Sequence, residues 1–425
     1  MSGLETLLNS VSSKTPVPFS AEFPDGRSVL VGRGEPAFRL KIVRRRALRR
    51  VAMFGHIGLL DAYFDGDVDI EGDFSAIFRV GMEIGFDRPG LMVRLRNRWH
   101  EFRLSNRSFA QAKANARFHY GLGYDFYRQW LDDPLMMYTC AYWGDGVTNL
   151  EEAQRAKVEH VCRKVRLQPG ERVIDIGCGF GGFMFHAAER HGVQVVGTNT
   201  TTEQVEELQG RIAAGGWGDR LKVVEADFRE VFDQFDKVVS IGTLEHAGRD
   251  QLFEVVSAHA RFLKPGGLGM LHFIGHVGQF ETEFFIRQHV FPGGWIPSLA
   301  ETIDAMEKCG LEVVDIENLR RHYALTLDEW SRRFEARWET IRAIDPKRFD
   351  ERFRRIWRTY LTACAEMFRS PVGHTHLFQI TFSKGNITRA NYPMSRKWLY
   401  DQAVAEPATA RPRPHREPVP SRRLD

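Results

Sequence analysis

The stretch Glu171-Arg172-Val173-Ile174-Asp175-Ile176-Gly177-Cys178-Gly179-Phe180-Gly181-Gly182 decides the fold. Val173–Ile176 is a short apolar run of the kind that forms a strand buried in a parallel sheet. The glycines that follow allow a tight turn and a close approach of backbone to a ligand. Phe183–Arg190 then reads as a helix whose first amides point back into the turn. A glycine-rich turn between strand and helix is by itself weak evidence, because dinucleotide sites share it.

Three neighbouring details favour S-adenosylmethionine over a dinucleotide. Asp175 stands two residues before Gly177, where a carboxylate can orient the turn and the amino-acid end of the cofactor. The next strand, Gln194–Gly197, runs into Thr198-Asn199-Thr200-Thr201-Thr202-Glu203-Gln204 with no acid at its tip, whereas a dinucleotide ribose usually asks for one. The third strand, Val223-Val224-Glu225-Ala226-Asp227-Phe228, ends in an acid and an aromatic, a pair suited to the amino group and the face of an adenine. Phe235–Ile241 supplies a fourth strand, and Leu268–Ile274 a fifth after the turn Lys264-Pro265-Gly266-Gly267. The pattern predicts a doubly wound α/β sheet with its ligands at the carboxyl ends of the strands.

Outside this core the chain divides into zones. Residues 1–35 read as short strands and turns, Ser28–Val31 among them. Residues 36–115 carry the basic run Lys41, Arg44, Arg45, Arg46, Arg49 and Arg50, interleaved with apolar residues, and then a helix ending in the acidic turn Asp65-Gly66-Asp67. This run reads either as a solvated helix face or as a contact for anionic phospholipid. Residues 403–425 hold five of the 18 prolines and five arginines, a composition that cannot bury a core and predicts a disordered tail. The expected division is therefore an N-terminal lipid-contact domain over 1–115, a catalytic domain over 116–400 and a tail over 403–425.

The composition narrows the function. With 425 residues and 43% hydrophobic content the chain can form two or three globular domains. Lys+Arg 59 against Asp+Glu 55 leaves +4, too balanced for a nucleic-acid binder along the whole chain. Five scattered cysteines predict neither a disulfide framework nor a metal site, and fit a reducing cytoplasm. There is no run of about 18 apolar residues and no hydrophobic signal core, so any lipid must be met from the membrane surface.

A second group of residues completes the reading. His119-Tyr120-Gly121-Leu122-Gly123, Tyr138-Thr139-Cys140-Ala141-Tyr142-Trp143, Glu245-His246-Ala247-Gly248, Leu271-His272-Phe273-Ile274-Gly275, Phe291-Pro292-Gly293-Gly294, Tyr323 and Leu361-Thr362-Ala363-Cys364-Ala365 lie far apart in the chain. With the glycine turn, they make the segment from about His119 to Asn386 resemble the cyclopropane-fatty-acyl-phospholipid synthase family. The resemblance implies a Rossmann-like class I S-adenosylmethionine methyltransferase domain beside a smaller N-terminal α+β domain. It implies methylation of the cis double bond of an unsaturated acyl chain in a membrane phospholipid, with a carbocation deprotonated by bound bicarbonate. It carries the bicarbonate site to Cys140, Glu245, His272, Ile274 and Tyr323. Cofactor contacts carry over to Tyr138, Thr139, Gly177, Gln204, Asp227 and Phe228, with Asp175, Gly179, Asn199 and Thr200 beside them.

Glu245 is expected either to be protonated or to orient His272, since a like charge beside the anion is unfavourable. Cys364 falls within the resemblance and is expected to pack rather than react. Similar proteins have Gly-Asn-Asp at Gly123-Tyr124-Asp125 and Thr-apolar-Ser at Asn199-Thr200-Thr201. These departures leave a methylene- or methyl-branched product as the alternative, with a reductase as partner. A homodimer and a peripheral position on the inner face of the membrane are also compatible with the resemblance.

Overall fold

The computed structural model describes residue 11 and residues 13–85, 91–104, 106 and 108–400. The expected tail at 403–425 lies outside the described residues. Two sheets organise the chain. The first has four strands, β1 (Phe19–Glu22), β2 (Ser28–Val31), β3 (Phe38–Ile42) and β4 (Val68–Gly72), in the order β2-β1-β3-β4. The second has seven: β5 (Arg172–Ile176), β6 (Gln194–Asn199), β7 (Leu221–Glu225), β8 (Phe235–Ile241), β9 (Leu263–His276), β10 (Leu311–Asn318) and β11 (Thr375–Lys384), in the order β10-β11-β9-β8-β5-β6-β7. The run from β7 to β9 is parallel, and β11 is inserted antiparallel between β9 and β10.

The five strands read from the sequence all form, and helix Gly182–His191 follows the glycine turn. One turn differs. Residues 264–267 do not separate two elements but bulge within β9, where Phe235 faces Leu263 and Lys237 faces Leu268. Helices cover both faces of the large sheet, so Val173, Ile174, Val238, Val239 and Met270 are wholly buried, as their continuous apolar pattern requires.

The small sheet packs with helices Arg46–Phe64 and Phe74–Ile84 around a core of Phe19, Phe38, Ile42, Val68 and Val80. The first of these helices breaks at Gly55, whose φ of 57° and ψ of −131° leave the helical region. Half of the basic run is paired with acids of the protein itself. Arg44 and Arg46 bond the buried carboxylate of Asp67, and Arg50 reaches both Asp65 and Asp67. Arg44 and Arg46 nonetheless stay exposed, as do Lys41, Arg45 and Arg49, which pair with no acid among the described residues. Among the described residues no helix is long and apolar enough to cross a membrane.

Candidate active site

The carboxyl ends of β5, β6 and β8 build the cofactor side. Gly177 has φ of 71°, and a Cβ there would lie 2.1 Å from Thr243 Cγ2. Gly242 has φ of 72°, and a Cβ would lie 2.7 Å from Thr139 Cγ2. The glycines thus let three segments close on one another: the turn after β5, the end of β8, and Tyr138-Thr139. Gly179, at φ 53°, is different, because its Cβ position faces open space, the room a ligand beside this turn needs. Asn199 holds the arrangement, donating to the Gly179 carbonyl at 3.2 Å and to Gln204 Oε1 at 2.9 Å. Thr200 follows, half-buried.

Asp227 sits past β7 with its carboxylate gripped by Arg229, and that guanidinium also lies 5.2 Å over the Phe228 ring. The acid and aromatic expected for adenine are side by side, with an arginine already on the acid. Asp175 is fully buried beneath the turn, and burial, opposed by Lys157, raises its carboxyl to about 7. Lys157 is a residue the sequence reading missed. It is wholly buried, donates to Thr139 Oγ1 at 2.9 Å, and is lowered to about 8 by burial against the attraction of Asp132 and other anions. A lysine within the polar helix Leu150–Lys164 looks like a surface residue; only the buried Asp132 and Asp175 nearby would have signalled otherwise.

Beyond Thr139 and Gly242 opens a largely apolar cavity of about 480 Å³. Glu245, Ile274, Tyr323 and Cys364 are on its wall, together with Tyr120 and His246, neither of which sequence reasoning marks as a site residue. The cavity runs on to Phe19, Leu40, Ile42, Val68 and Phe78 of the N-terminal sheet layer. Both layers therefore enclose one space.

Glu245 is the central polar group. Its Oε1 accepts the Ile274 amide at 2.5 Å, and its Oε2, though buried, has no protein partner among the described residues. Burial raises this carboxyl to about 7. Glu245 makes no hydrogen bond to His272 among the described residues. His272 is buried on β9 with Nδ1 bonded to Gln379 of β11 at 3.1 Å, and burial holds its ring far below the usual histidine range, hence neutral. Its Nε2 is buried without a partner, and the ring is not on the cavity wall.

Cys140 is likewise behind the wall, its thiol directed at the carbonyls of Ala141 and Leu319 and pushed far up by burial. Cys364 reaches the wall, but burial raises its thiol to about 12, a poor nucleophile. Tyr138 stacks on His119 with centroids 5.4 Å apart and donates to the Tyr360 hydroxyl at 2.9 Å. His246, lowered to about 4 by burial, is 2.8 Å from the Tyr120 hydroxyl. So Glu245, Ile274 and Tyr323 share one wall, while Cys140 and His272 are buried and do not line it.

A further cluster lies away from this cavity. Cys162 comes within 4.8 Å of His186 and His191 at the ligand atoms, with Glu159 bonded to both histidines. The sequence spacing of the cysteines gave no sign of it, since the grouping arises from two packed helices.

Comparison with known proteins adds to this geometry. Residues 107–380 match the family model described as mycolic acid cyclopropane synthetase. The chain is 36% identical over 345 residues to cyclopropane-fatty-acyl-phospholipid synthase of Escherichia coli strain K12, spanning 79% of this chain and 85% of that one. It is 34% identical over 285 residues to cyclopropane mycolic acid synthase 1 of Mycobacterium tuberculosis strain H37Ra, spanning 64% of this chain and 97% of that one. A solved mycolic acid cyclopropane synthase in complex with SAH and CTAB superposes with a TM-score of 0.59 at 33% identity, covering 64% of this chain and 98% of the other.

Proposed function

The chain belongs to the mycolic acid cyclopropane synthetase family and is an S-adenosylmethionine-dependent methyltransferase, and from that premise we propose that it cyclopropanates the cis double bonds of unsaturated acyl chains in membrane phospholipids. The observation that carries the reading is Glu245: a buried carboxyl with one unpartnered oxygen, set in the wall of a long apolar cavity that also touches the cofactor seam. An acyl chain needs such a cavity, and an apolar enclosure keeps water from a developing cation.

S-adenosylmethionine, when bound, supplies the electrophilic methyl carbon that the alkene π electrons attack. Residues for it are at hand in Tyr138, Thr139, Gly177, Gly179, Asn199, Thr200, Gln204, Asp227 and Phe228, with Asp175 supporting the turn from below. Bicarbonate, bound beside Glu245, would supply the base that takes the proton as the ring closes.

The chain's own part is to hold that anion. The Tyr323 hydroxyl is a donor at the wall, and a neutral Glu245 carboxyl, fixed through its other oxygen by the Ile274 amide, adds a second. Cys140 and His272 support this wall from behind. Lys157, one layer deeper, places positive charge near the same groups. Aromatic faces around the cavity, Tyr120 and Phe291 among them, attract the delocalised cation by about 0.5–2 kcal/mol each where they face it.

The phospholipid form of the substrate is supported by the N-terminal layer, which precedes the residues 107–380 matched by the family model and into which the match to the E. coli phospholipid enzyme, over 79% of the chain, must extend. The layer's share of the cavity gives it a direct use. Incubation with methyl-labelled S-adenosylmethionine and unsaturated phospholipid vesicles tests the reading. Label in a fatty acid one methylene group heavier than its parent, with no reducible double bond, is the expected result. A reducible product signals a methylene-branched chain instead, and unlabelled lipid refutes the proposal.

A further inference from the structure

Helix Leu91–Leu104 is built inside out. Its solvent-facing positions include Leu91, Leu95, Trp99 and Phe102, exposed by 64, 53, 61 and 81%. At about 100° per residue these four fall within an arc of about 80°. A surface helix ordinarily turns such a stripe to the core and its polar residues to water. Here the polar side faces the protein. Asn97 donates to the Thr282 carbonyl and accepts from Arg287 at 2.9 Å, Glu101 pairs with Arg287 at 3.3 Å, and Arg96 lies 4.8 Å over the Phe284 ring. The segment gripped in this way borders the acyl cavity, since Asn97, Thr282 and Phe284 all line it.

An exposed apolar stripe calls for a partner, and the charges beside it say which. Arg94, Arg98 and Arg103 are the other exposed residues of the same face, and no carboxylate joins them there among the described residues. Arg103 lies 4.8 Å over the Trp99 ring, and none of the three has an acidic partner among the described residues. A second copy docked through this face would set arginines against arginines. An anionic lipid surface instead meets both features: the side chains of Trp99 and Phe102 enter the acyl boundary while the arginines take phosphates.

We infer that helix Leu91–Leu104 is the membrane-docking element, seated on the bilayer with its inner face over the acyl cavity. This moves the docking site from the Lys41–Arg50 run, much of which is consumed by Asp65 and Asp67. The inference rests on the proposed function for its purpose, but its primary readout, vesicle binding, needs no methyl transfer.

The test is sedimentation with vesicles of phosphatidylglycerol and phosphatidylethanolamine, against vesicles of phosphatidylcholine. The full chain is compared with Trp99→Glu/Phe102→Glu, with Arg94→Gln/Arg98→Gln/Arg103→Gln, and with Phe232→Glu, a change at an exposed aromatic elsewhere. We expect the aromatic double variant to lose at least tenfold in partitioning to both vesicle types. The arginine variant should lose only the preference for anionic vesicles, and Phe232→Glu should match the parent. Methyl transfer to unsaturated phospholipid dispersed in detergent micelles should persist in the double variant while transfer to vesicles falls. Equal vesicle binding by parent and double variant overturns the inference. So does a parent dimer in light scattering that becomes a monomer in the double variant with vesicle binding unchanged, which would make a second copy the occupant. If no form of the enzyme methylates lipid but the binding differences hold, the proposed reaction fails and the docking element stands.

Discussion

Replacing Glu245 by Gln should separate what this carboxyl does for the reaction from what it costs the fold. The amide oxygen can still accept the Ile274 N–H, and the amide nitrogen occupies the place of the unpartnered Oε2. The group can no longer ionise. Glu245 is wholly buried, and its carboxyl rises from the ordinary 4.5 to about 7 in the folded protein. Between those two pH values the folded protein keeps a proton that the unfolded chain has released, so raising the pH draws the equilibrium toward unfolding. The parent's stability from this site is fully present below about 4.5 and is lost as the pH climbs through about 7. A gap of about 2.5 pH units corresponds to about 3 kcal/mol. Glu245→Gln escapes that loss. Its unfolding free energy minus the parent's, measured by urea titration at pH 5 and pH 8, should therefore be about 2–3 kcal/mol larger at pH 8, the variant being the relatively more stable protein there. Any constant contribution from altered hydrogen bonding cancels in that difference. Turnover should meanwhile be retained in part and fall less than in Tyr323→Phe, because the amide N–H keeps a donor where the neutral carboxyl had one, whereas loss of about a hundredfold or more would show that the carboxyl must exchange its proton. A relative stability independent of pH would refute the reasoning, because it would mean that Glu245 ionises in the fold as freely as in water.

Other outcomes follow from the same geometry. Tyr323→Phe keeps the ring and removes a donor at the cavity wall; turnover should drop about a hundredfold with calorimetric affinity for S-adenosylmethionine near the parent's, and an unchanged turnover in bicarbonate-depleted buffer would count against the anion site. Lys157→Met strands Asp132 and Asp175 in the interior, so thermal unfolding should show a loss of about 3–5 kcal/mol; an unaltered melting temperature would show that these charges are not paired through Lys157. Gly177→Ala puts a Cβ 2.1 Å from Thr243 Cγ2 at a φ of 71°, and should weaken S-adenosylmethionine binding in calorimetry at least tenfold. Adding Thr243→Ala should recover only the part due to the clash, leaving the backbone strain.

What could be read from the chain, and what could not, follows from how local each signal is. The glycine turn and the apolar runs at Val173–Ile176 and Phe235–Ile241 are local, and their strands form where read. The placement of Glu245 by Ile274 follows from two adjacent parallel strands ending side by side, so topology was enough. The partner of His272 was not legible, because Gln379 reaches it only through the antiparallel register of β11 on β9. Lys157 was hidden for the same reason: its buried neighbours come from a loop and from β5, far from it in sequence. Asp67 reads as part of an acidic turn, and the three arginines that it engages read as a solvated helix face or a lipid contact, since charge alone does not show which charges meet. The inverted face of helix Leu91–Leu104 was overlooked because an amphipathic period does not say which side is turned inward.

The cavity shared by the two layers has a consequence for the protein's persistence. Interiors of folded proteins are close-packed, and an apolar space left unfilled forfeits contacts that its lining would otherwise make. Holding open about 480 Å³ leaves the substrate-free enzyme less stable than its size would permit. An acyl chain lying in that space returns the missing contacts and joins the two layers through itself. On the proposed function, the enzyme should therefore melt at a higher temperature and resist proteases better with unsaturated lipid present than without it.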